Sequence, residues 1–360
     1  MPELFKDRLN RKSLREFALA IRSVYNSFQA DEFIKAIMDE TWDDLELKAR
    51  GRKISVNMGK YLPSDYRAAI GVIDKVASCY DGFCKYCFPD FIEVFGQDDI
   101  NWEVSIDALE RYTQYSSSEL AVRPFIVKHE ERMMERMYDW SKNGSEHIRR
   151  LASEGCRPAL PWGIALNSFK KDPAPVLPIL EQLKTDPSLD VRRSVANNLN
   201  DISKTHPDLV VKIAKDWYGK NEYTDWIVKH GCRTLLKKGN RDVLAIFGLS
   251  DTASAETSDF TLETNSISIG EDISFSFVIQ TKEAVKVRLE YGVDYVKANG
   301  KRNRKIFQIS EISLKENQKK VYSKKHSFAD VSTRKHYPGT HSITLIVNGA
   351  ERGTLNFKLF

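Results

Sequence analysis

The stretch EGCRPALPWG, from Glu154 to Gly163, places an acid and a tryptophan at one short interruption of a helical pattern. Pro158 and Pro161 lead into Trp162, and a proline inside a helix costs roughly 3 kcal/mol because it removes a backbone donor and clashes with the preceding turn. The prolines therefore predict a restricted loop that holds the indole in place. A fixed aromatic face and a carboxylate would both attract a positively charged group. The alternative is a core tryptophan that closes a helix turn.

Three similar segments form a degenerate repeat around this loop: HIRRLASEGC (147–156), DVRRSVANNL (190–199) and WIVKHGCRTL (226–235). Their leading apolar residues, Ile148, Val191 and Ile227, are 43 and 36 residues apart, a spacing typical of two-helix HEAT-type repeats. We therefore expect helix pairs stacked into a solenoid with a concave face.

The register of the repeat predicts which polar side chains share a face. Glu154, Asn197 and Arg233 each lie six residues after the apolar lead, so stacked helices would place them in one row. Arg193, Asn197 and Asp201 follow at i, i+4 and i+8 and form a stripe along one helix. The stripe points toward the neighbourhood of the proline-restricted loop. A solvated outer face would have much the same pattern, and that alternative stays open.

The hydrophobic period changes near residue 250. Before it, apolar residues recur at spacings of three and four, which predicts helices. After the polar stretch FGLSDTASAETSD the period becomes two, in segments such as ISFSFVIQ and HSITLIVNG, and Asn-Gly pairs at 299–300 and 348–349 signal hairpin turns. About seven short strands indicate an immunoglobulin-like sandwich. The predicted fold is mainly α: a HEAT-like helical-repeat solenoid (1–250), a linker (251–259) and a C-terminal all-β sandwich (260–360).

The formal net charge of +5 lies entirely in the last third of the chain. From Glu256 onward there are 17 Lys and Arg against 12 Asp and Glu, whereas residues 1–255 contain 38 of each sign. Runs such as KRNRK and KKVYSKK favour a polyanionic partner. A basic surface that serves only solubility is the alternative.

Compartment and metal content follow from what the sequence lacks. No apolar run reaches the roughly 18 residues of a membrane span, and the first residues are charged where a signal peptide needs an apolar segment, so we expect a cytoplasmic protein. Five scattered cysteines do not form a disulfide framework. Cys84 and Cys87 form a single CxxC without a second pair, which predicts structural thiols and no metal site.

Several long motifs resemble one known family. SSSELAVRPF, RRLASEGCRPALPWG, DVRRSVANNLNDISKTHPD and WIVKHGCRTLLKKG are similar to the AlkC branch of the AlkC/AlkD alkylpurine DNA glycosylases, which are built from HEAT-like repeats. STRKHYPGTHSITLIVNG resembles the immunoglobulin-like domain at the C-terminus of some AlkC proteins. The resemblance extends from about residue 115 to the end of the chain and is looser before that point.

The resemblance implies an activity and a set of residues. The activity is removal of cationic N-alkylated bases, such as 3-methyladenine, from double-stranded DNA by a monomeric, monofunctional enzyme without cofactor or metal. The implied catalytic residues are Glu119, Glu154, Trp162 and Asp201. Without the resemblance, Glu119 could be a first-turn acid favoured by a helix dipole and Glu154 a solvated helix end.

Phosphate binding is expected from polar and basic side chains on the repeat helices and on the sandwich. The predicted DNA-binding residues are Arg192, Arg193, Asn197, Lys229, His230, Arg233, Lys237, Lys238, Arg334 and Lys335. Arg192 and Arg193 are adjacent and cannot both face one way on a helix, so one of them could instead pair with an acid.

Two other classes of function compete with a glycosylase. The main alternative is a non-catalytic HEAT-repeat scaffold that binds DNA or protein, for which converging acids beside a fixed tryptophan would have no use. A nuclease is the weaker alternative, because the sequence shows no cluster of metal-binding carboxylates.

Overall fold

The computed structural model describes residues 4–331 and 334–360, so Ser332 and Thr333 of the motif STRKHYPG lie outside the described residues. Helices account for 49% of the chain and strands for 21%, so the predicted mainly helical content is matched only roughly. The chain divides into two compact units, one formed by residues up to 205 with 219–231, the other by 206–218 with 232–360. In the described residues no helix is both long and apolar enough to cross a membrane.

Helices fill the chain up to residue 246. They are α1 (Arg11–Val24), α2 (Ala30–Ile37), α3 (Leu47–Tyr61), α4 (Tyr66–Cys79), α5 (Cys87–Phe95), α6 (Trp102–Tyr112), α7 (Arg123–Lys128), α8 (Glu130–Trp140), α9 (Glu146–Gly155), α10 (Asn167–Lys171), α11 (Leu177–Leu183), α12 (Leu189–Ile202), α13 (Pro207–Trp217), α14 (Glu222–Gly231), α15 (Arg233–Lys237) and α16 (Arg241–Ile246). Short 3₁₀ turns lie at Phe5–Arg8, Trp42–Asp44, Phe83–Tyr86, Asp99–Asn101 and Ala174–Val176.

The repeat segments form neighbouring helices, α9, α12 and α14. The predicted apolar leads of all three segments are buried. Between α9 and α12, Ser194 donates to Ser153 Oγ at 3.0 Å, and Asn198 donates to the Ser153 carbonyl at 3.0 Å. Between α12 and α14, Gly231 lets the two backbones approach, since a Cβ there would lie 3.1 Å from Leu199 Cβ. The side-by-side packing predicted from the repeat is therefore present within the first unit.

Two sheets form the C-terminal region. Their strands are β1 (Ala255–Leu262), β2 (Ser266–Ile267), β3 (Asp272–Thr281), β4 (Val285–Val296), β5 (Arg302–Leu314), β6 (Lys319–Ser327), β7 (Gly339–Val347) and β8 (Ala350–Leu359). One sheet has the order β1-β3-β6 and the other β2-β8-β7-β4-β5, with all neighbours antiparallel except β2 and β8. The inward residues of both sheets form a single apolar core, for example Phe275 and Phe277 of β3 with Leu289 of β4 and Leu345 of β7.

The predicted hairpin turns are present and have the expected backbone. Asn348 and Gly349 both adopt positive φ, 49° and 77°, in the β7–β8 turn, and Gly300 has φ 74° in the β4–β5 turn. An asparagine or glycine tolerates this region because its side chain is short or absent.

The predicted boundaries at 250 and 259 differ from the structure. β1 begins at Ala255, which is buried and pairs with Thr281, so the second half of the expected linker is a strand whose small polar residues hid the alternation. The last helices also belong to the second unit. Lys286 donates to the Phe247 carbonyl at 3.1 Å, and Asn348 donates to the Asp251 carbonyl at 2.6 Å, which ties the end of the helical segment to the strands.

Candidate active site

The loop after α9 presents Trp162 to solvent. α9 ends at Gly155, where a Cβ would lie 2.7 Å from Val122 Cγ2 and 2.9 Å from Met137 Cε, so a side chain here would have to displace these two neighbours. The two prolines follow, and Trp162 is 77% exposed with φ at 64°. The alternative of a core tryptophan is therefore excluded. A left-handed backbone at a residue with a bulky side chain is uncommon and indicates a constrained position.

Glu154 and Asp201 lie together, joined by an arginine that sequence analysis did not single out. Arg157 Nη1 donates to Glu154 Oε1 at 2.6 Å, and Arg157 Nε donates to Asp201 Oδ2 at 3.0 Å. All three residues are buried, with exposures of 4–7%. Burial acts to lower the pKa of Arg157, but the two carboxylates more than offset this, and its pKa is raised above the ordinary value.

The two acids differ in how many of their oxygens are occupied. Asp201 Oδ1 accepts from Lys204 Nζ at 2.8 Å, so both oxygens of Asp201 have a donor. Among the described residues Glu154 Oε2 has no hydrogen-bond partner, and the Glu154 side chain is 8% exposed against 2% for Asp201. The geometry thus assigns the open acceptor to Glu154 and a fixed orientation to Asp201.

Glu119 lies in the turn before α7 and does not occupy the first turn of that helix. Its Oε2 accepts from Ser117 Oγ at 2.6 Å and from Arg150 Nη2 at 2.7 Å. Arg150 precedes Glu154 by four residues on α9, and residues at this spacing share a helix face. The ion pair with Arg150 therefore holds Glu119 against α9, one helical turn before Glu154.

The predicted stripe on α12 runs from solvent into the interior. Arg193 is exposed and pairs with Asp190 at 2.9 Å, Asn197 is half-buried, and Asp201 is buried. Arg233, the third member of the other predicted row, begins a new helix and belongs to the second compact unit. What faces Glu154 across Arg157 is Asp201, and the expected neighbour Asn197 does not take that role.

Several predicted phosphate ligands have protein partners of their own. Arg192 donates to the carbonyls of Asp186 and Pro187 and lies 4.1 Å above the Tyr223 ring, so of the adjacent arginines it is Arg193 that pairs with an acid. Lys229 is half-buried, and His230 stacks on Trp226 with ring centroids 5.0 Å apart.

In the second unit, Lys237 and Lys238 are exposed and Arg233 is half-buried. Arg334 Nη1 lies 3.4 Å from Tyr295 Oη, and Lys335 is exposed. These placements leave the DNA-binding roles of the predicted set as predictions.

The cysteines agree with the prediction of structural thiols. Cys84 and Cys87 are unpaired and buried, and burial raises the pKa of the Cys84 thiol to about 11. The described residues contain no group of three or more His, Cys, Asp or Glu side chains that could hold a metal ion.

Two family models match the chain. The model described as "DNA alkylation repair enzyme" matches residues 113–238, and the model described as "Uncharacterised protein YhaZ, C-terminal Ig-like domain" matches residues 256–360. The first range contains the whole Glu154–Arg157–Asp201 cluster and Trp162. These matches define a helical DNA alkylation repair protein extended by an immunoglobulin-like domain.

Two full-length relatives narrow the class. "Uncharacterized protein YhaZ" of Bacillus subtilis (strain 168) is 45% identical over 354 residues, covering 98% of this chain and 99% of that protein. A solved structure of Pseudomonas fluorescens alkylpurine DNA glycosylase AlkC, bound to DNA containing an abasic site analog, matches with a TM-score of 0.95 at 33% identity over 99% of this chain and 100% of that one. The chain belongs to the AlkC branch of the AlkC/AlkD alkylpurine DNA glycosylases.

Proposed function

We propose that the protein is a DNA glycosylase that hydrolyses the N-glycosidic bond of cationic alkylated bases, such as 3-methyladenine, in double-stranded DNA. Family membership supports the reaction class. One observation supports assigning this chemistry to particular residues. Two buried carboxylates, Glu154 and Asp201, bind the same arginine and lie in the same compact unit as the solvent-facing Trp162.

The chemistry of an alkylated nucleotide matches these groups. The base already has a positive charge and leaves readily, and the sugar develops oxocarbenium character as it departs. A carboxylate stabilises that charge and orients or deprotonates the attacking water. Glu154 Oε2 is the open acceptor for this water, while Asp201 is held by Arg157 and Lys204 and supplies a fixed negative charge. The Trp162 indole adds cation–π attraction of about 0.5 to 2 kcal/mol.

Finer features of the proposal come from the family and from the side chains. We expect HEAT-like repeats in the helical part, a monomeric enzyme in the cytoplasm that associates with the nucleoid through DNA, and no cofactor. Excision should leave the DNA strand intact, because hydrolysis by water needs no lysine Schiff base. Glu119, with one oxygen engaged by Arg150, is the third proposed catalytic acid.

The test is release of free base from methylated duplex DNA, followed by chromatography, with intact strands checked on a denaturing gel. We expect 3-methyladenine to be released and uracil to be retained in a matched duplex, because neutral uracil lacks the positive charge on which the site acts. Release of uracil at a comparable rate would contradict charge-based selection.

One observation favours the alternative of a non-catalytic scaffold. The formal charges of Glu154, Asp201, Arg157 and Lys204 cancel, as in a structural ion-pair network. Under that alternative the protein would bind duplex DNA but release no base from it. The base-release assay with a parallel binding measurement separates the two functions.

A further inference from the structure

The conformation of Trp162 needs an explanation that its own side chain does not supply. The residue has a φ of 64° and an exposed indole, so no burial of the ring holds the backbone in this left-handed state. Such conformations cost on the order of 1–3 kcal/mol and persist only where surrounding structure imposes them. The groups that impose it must therefore act on the loop backbone.

Arg123 contacts the backbone at both ends of the loop. It is completely buried at the start of α7, where Nη1 donates to the Gly155 carbonyl at 2.8 Å and Nε donates to the Ile164 carbonyl at 2.6 Å. One guanidinium thus joins the last residue of α9 to the second residue after Trp162. Burial lowers the pKa of Arg123 to about 10, which still leaves it positively charged at neutral pH.

Gly163 and Lys48 make two further contacts at this loop. A Cβ on Gly163 would lie 3.0 Å from both Cδ and Nε of Arg123, so a side chain here would require the Arg123 side chain to shift by a few tenths of an ångström. Lys48, at the beginning of α3, donates to the Trp162 carbonyl at 2.8 Å across 114 residues of sequence. Both cations bind carbonyl oxygens, so their hold on the loop does not depend on which side chain stands at position 162.

We propose that Arg123 and Lys48 are positioning residues that hold Trp162 in its outward conformation before DNA binds. The proposal deepens the proposed function and rests on it, because a preorganised indole matters only if the loop faces a cationic nucleotide. Preorganisation removes the need to order the loop during the reaction, which is how a group that touches no substrate can raise the rate.

The first test observes the indole in the full-length protein by ¹⁹F NMR after 5-fluorotryptophan labelling. Trp162→Phe assigns the Trp162 resonance. Lys48→Gln removes the positive charge and shortens the side chain, which weakens its contact with the Trp162 carbonyl and should shift and broaden or split that resonance. Lys48→Arg, which keeps the charge and the reach, should retain the wild-type signal. Lys35→Gln, an exposed lysine on α2, is the control for loss of one surface charge. An unchanged Trp162 resonance in folded Lys48→Gln would overturn the role of Lys48.

Arg123 is tested with one variant of Arg123 itself and one of its neighbour Gly163, because replacing a buried arginine can unfold a protein. Arg123→Lys keeps the charge but has a single head group that cannot reach both carbonyls, and it should broaden or split the Trp162 resonance. Gly163→Ala pushes against the guanidinium and should have a similar effect. Gly144→Ala is the matched control, since a Cβ at Gly144 meets nothing within 4 Å. A Gly163→Ala protein with the wild-type resonance would contradict the proposal even if Arg123→Lys fails to fold.

A double-mutant cycle then links position to chemistry. Lys48→Gln should slow single-turnover release of 3-methyladenine by about fivefold to tenfold, the size expected for one hydrogen bond, and should cause no further loss in a Trp162→Ala background. An equal loss in both backgrounds would show that Lys48 acts elsewhere, for example on a DNA phosphate. If the wild-type protein releases no base, the proposed function fails, whereas the NMR measurements still decide whether the two cations hold the loop.

Discussion

Removing the charge of Asp201 should cost more stability than removing the charge of Glu154, although both acids bind the same arginine. Asp201 accepts from two donors, Arg157 Nε and Lys204 Nζ, one on each oxygen. In Asp201→Asn one of these donors must face an amide NH₂ group. In Glu154→Gln the carbonyl can keep its bond to Arg157 Nη1, and the amide takes the position of Oε2, which has no hydrogen-bond partner among the described residues.

The expected magnitudes follow from burial. Lys204 is 48% exposed and can turn to solvent, but the Arg157 side chain is 9% exposed and cannot, so Asp201→Asn leaves a buried guanidinium with half its compensation. A hydrogen bond between charged groups contributes about 1.5–3 kcal/mol, which is the loss we expect for Asp201→Asn. Glu154→Gln should lose about 1 kcal/mol. Arg157→Met leaves the buried Glu154 carboxylate without a partner and Asp201 with Lys204 alone, and it should lose about 3–5 kcal/mol.

Urea unfolding followed by far-ultraviolet circular dichroism measures these differences in stability. Helices dominate that signal, and Glu154, Arg157 and Asp201 all lie in the first compact unit, which is helical. The slope of the transition should stay constant across the series, so that midpoints report stability. Equal losses for Asp201→Asn and Glu154→Gln, or a larger loss for Glu154→Gln, would refute the inference that Asp201 is the saturated acid and Glu154 the open one.

Three further perturbations have defined outcomes. Trp162→Gly should be about 1 kcal/mol more stable than Trp162→Ala in urea, because glycine adopts positive φ without strain, and both should excise slowly. Burial lowers the pKa of His326 to about 4, so the sandwich should lose up to about 3 kcal/mol as pH falls from about 6.5 to 4, where the unfolded chain binds the proton and the folded chain does not. A thermal melt of His326→Gln that shows the same pH dependence would contradict this. Arg193→Glu and Lys335→Glu should weaken binding to methylated and unmodified duplex alike and reduce the salt slope by about 0.9 per lost phosphate contact, whereas unchanged slopes in fluorescence anisotropy would place these side chains off the DNA.

Periodicity predicted helices before residue 250, and the repeat spacing predicted that the three aligned segments pack as neighbours. The apolar leads of the three segments are buried because a degenerate repeat preserves its packing positions while its surface varies. The prolines also predicted the interruption of the helix before Trp162, since they act locally on the backbone. The unit boundary was not predictable, because the contacts of Lys286 and Asn348 with the end of the helical segment join residues 39 and 97 positions apart.

The arrangement of Glu154 and Asp201 depends on Arg157, which binds both acids. Arg157 lies three residues after Glu154 and directly before a proline, a spacing that suggests an ion pair, but its second bond spans 44 residues to Asp201. Sequence spacing placed Asn197 in that position, because a row drawn from the repeat ignores how far a long side chain reaches. The role of Arg123 was not predictable either, because the sequence AVRPF does not show that its arginine is buried or which carbonyl groups it binds.

The most direct measurement of the central claim is the single-turnover rate of 3-methyladenine release from a duplex by the wild-type protein, Glu154→Gln and Glu135→Gln. Glu135 is an exposed glutamate on α8 and controls for loss of one negative charge. Glu154→Gln should bind the duplex normally and release the base about a hundredfold or more slowly, because the open carboxylate oxygen that receives the water is gone. Glu135→Gln should match the wild-type protein. Wild-type rates for folded Glu154→Gln, or no base release by any of the three proteins, would contradict the account.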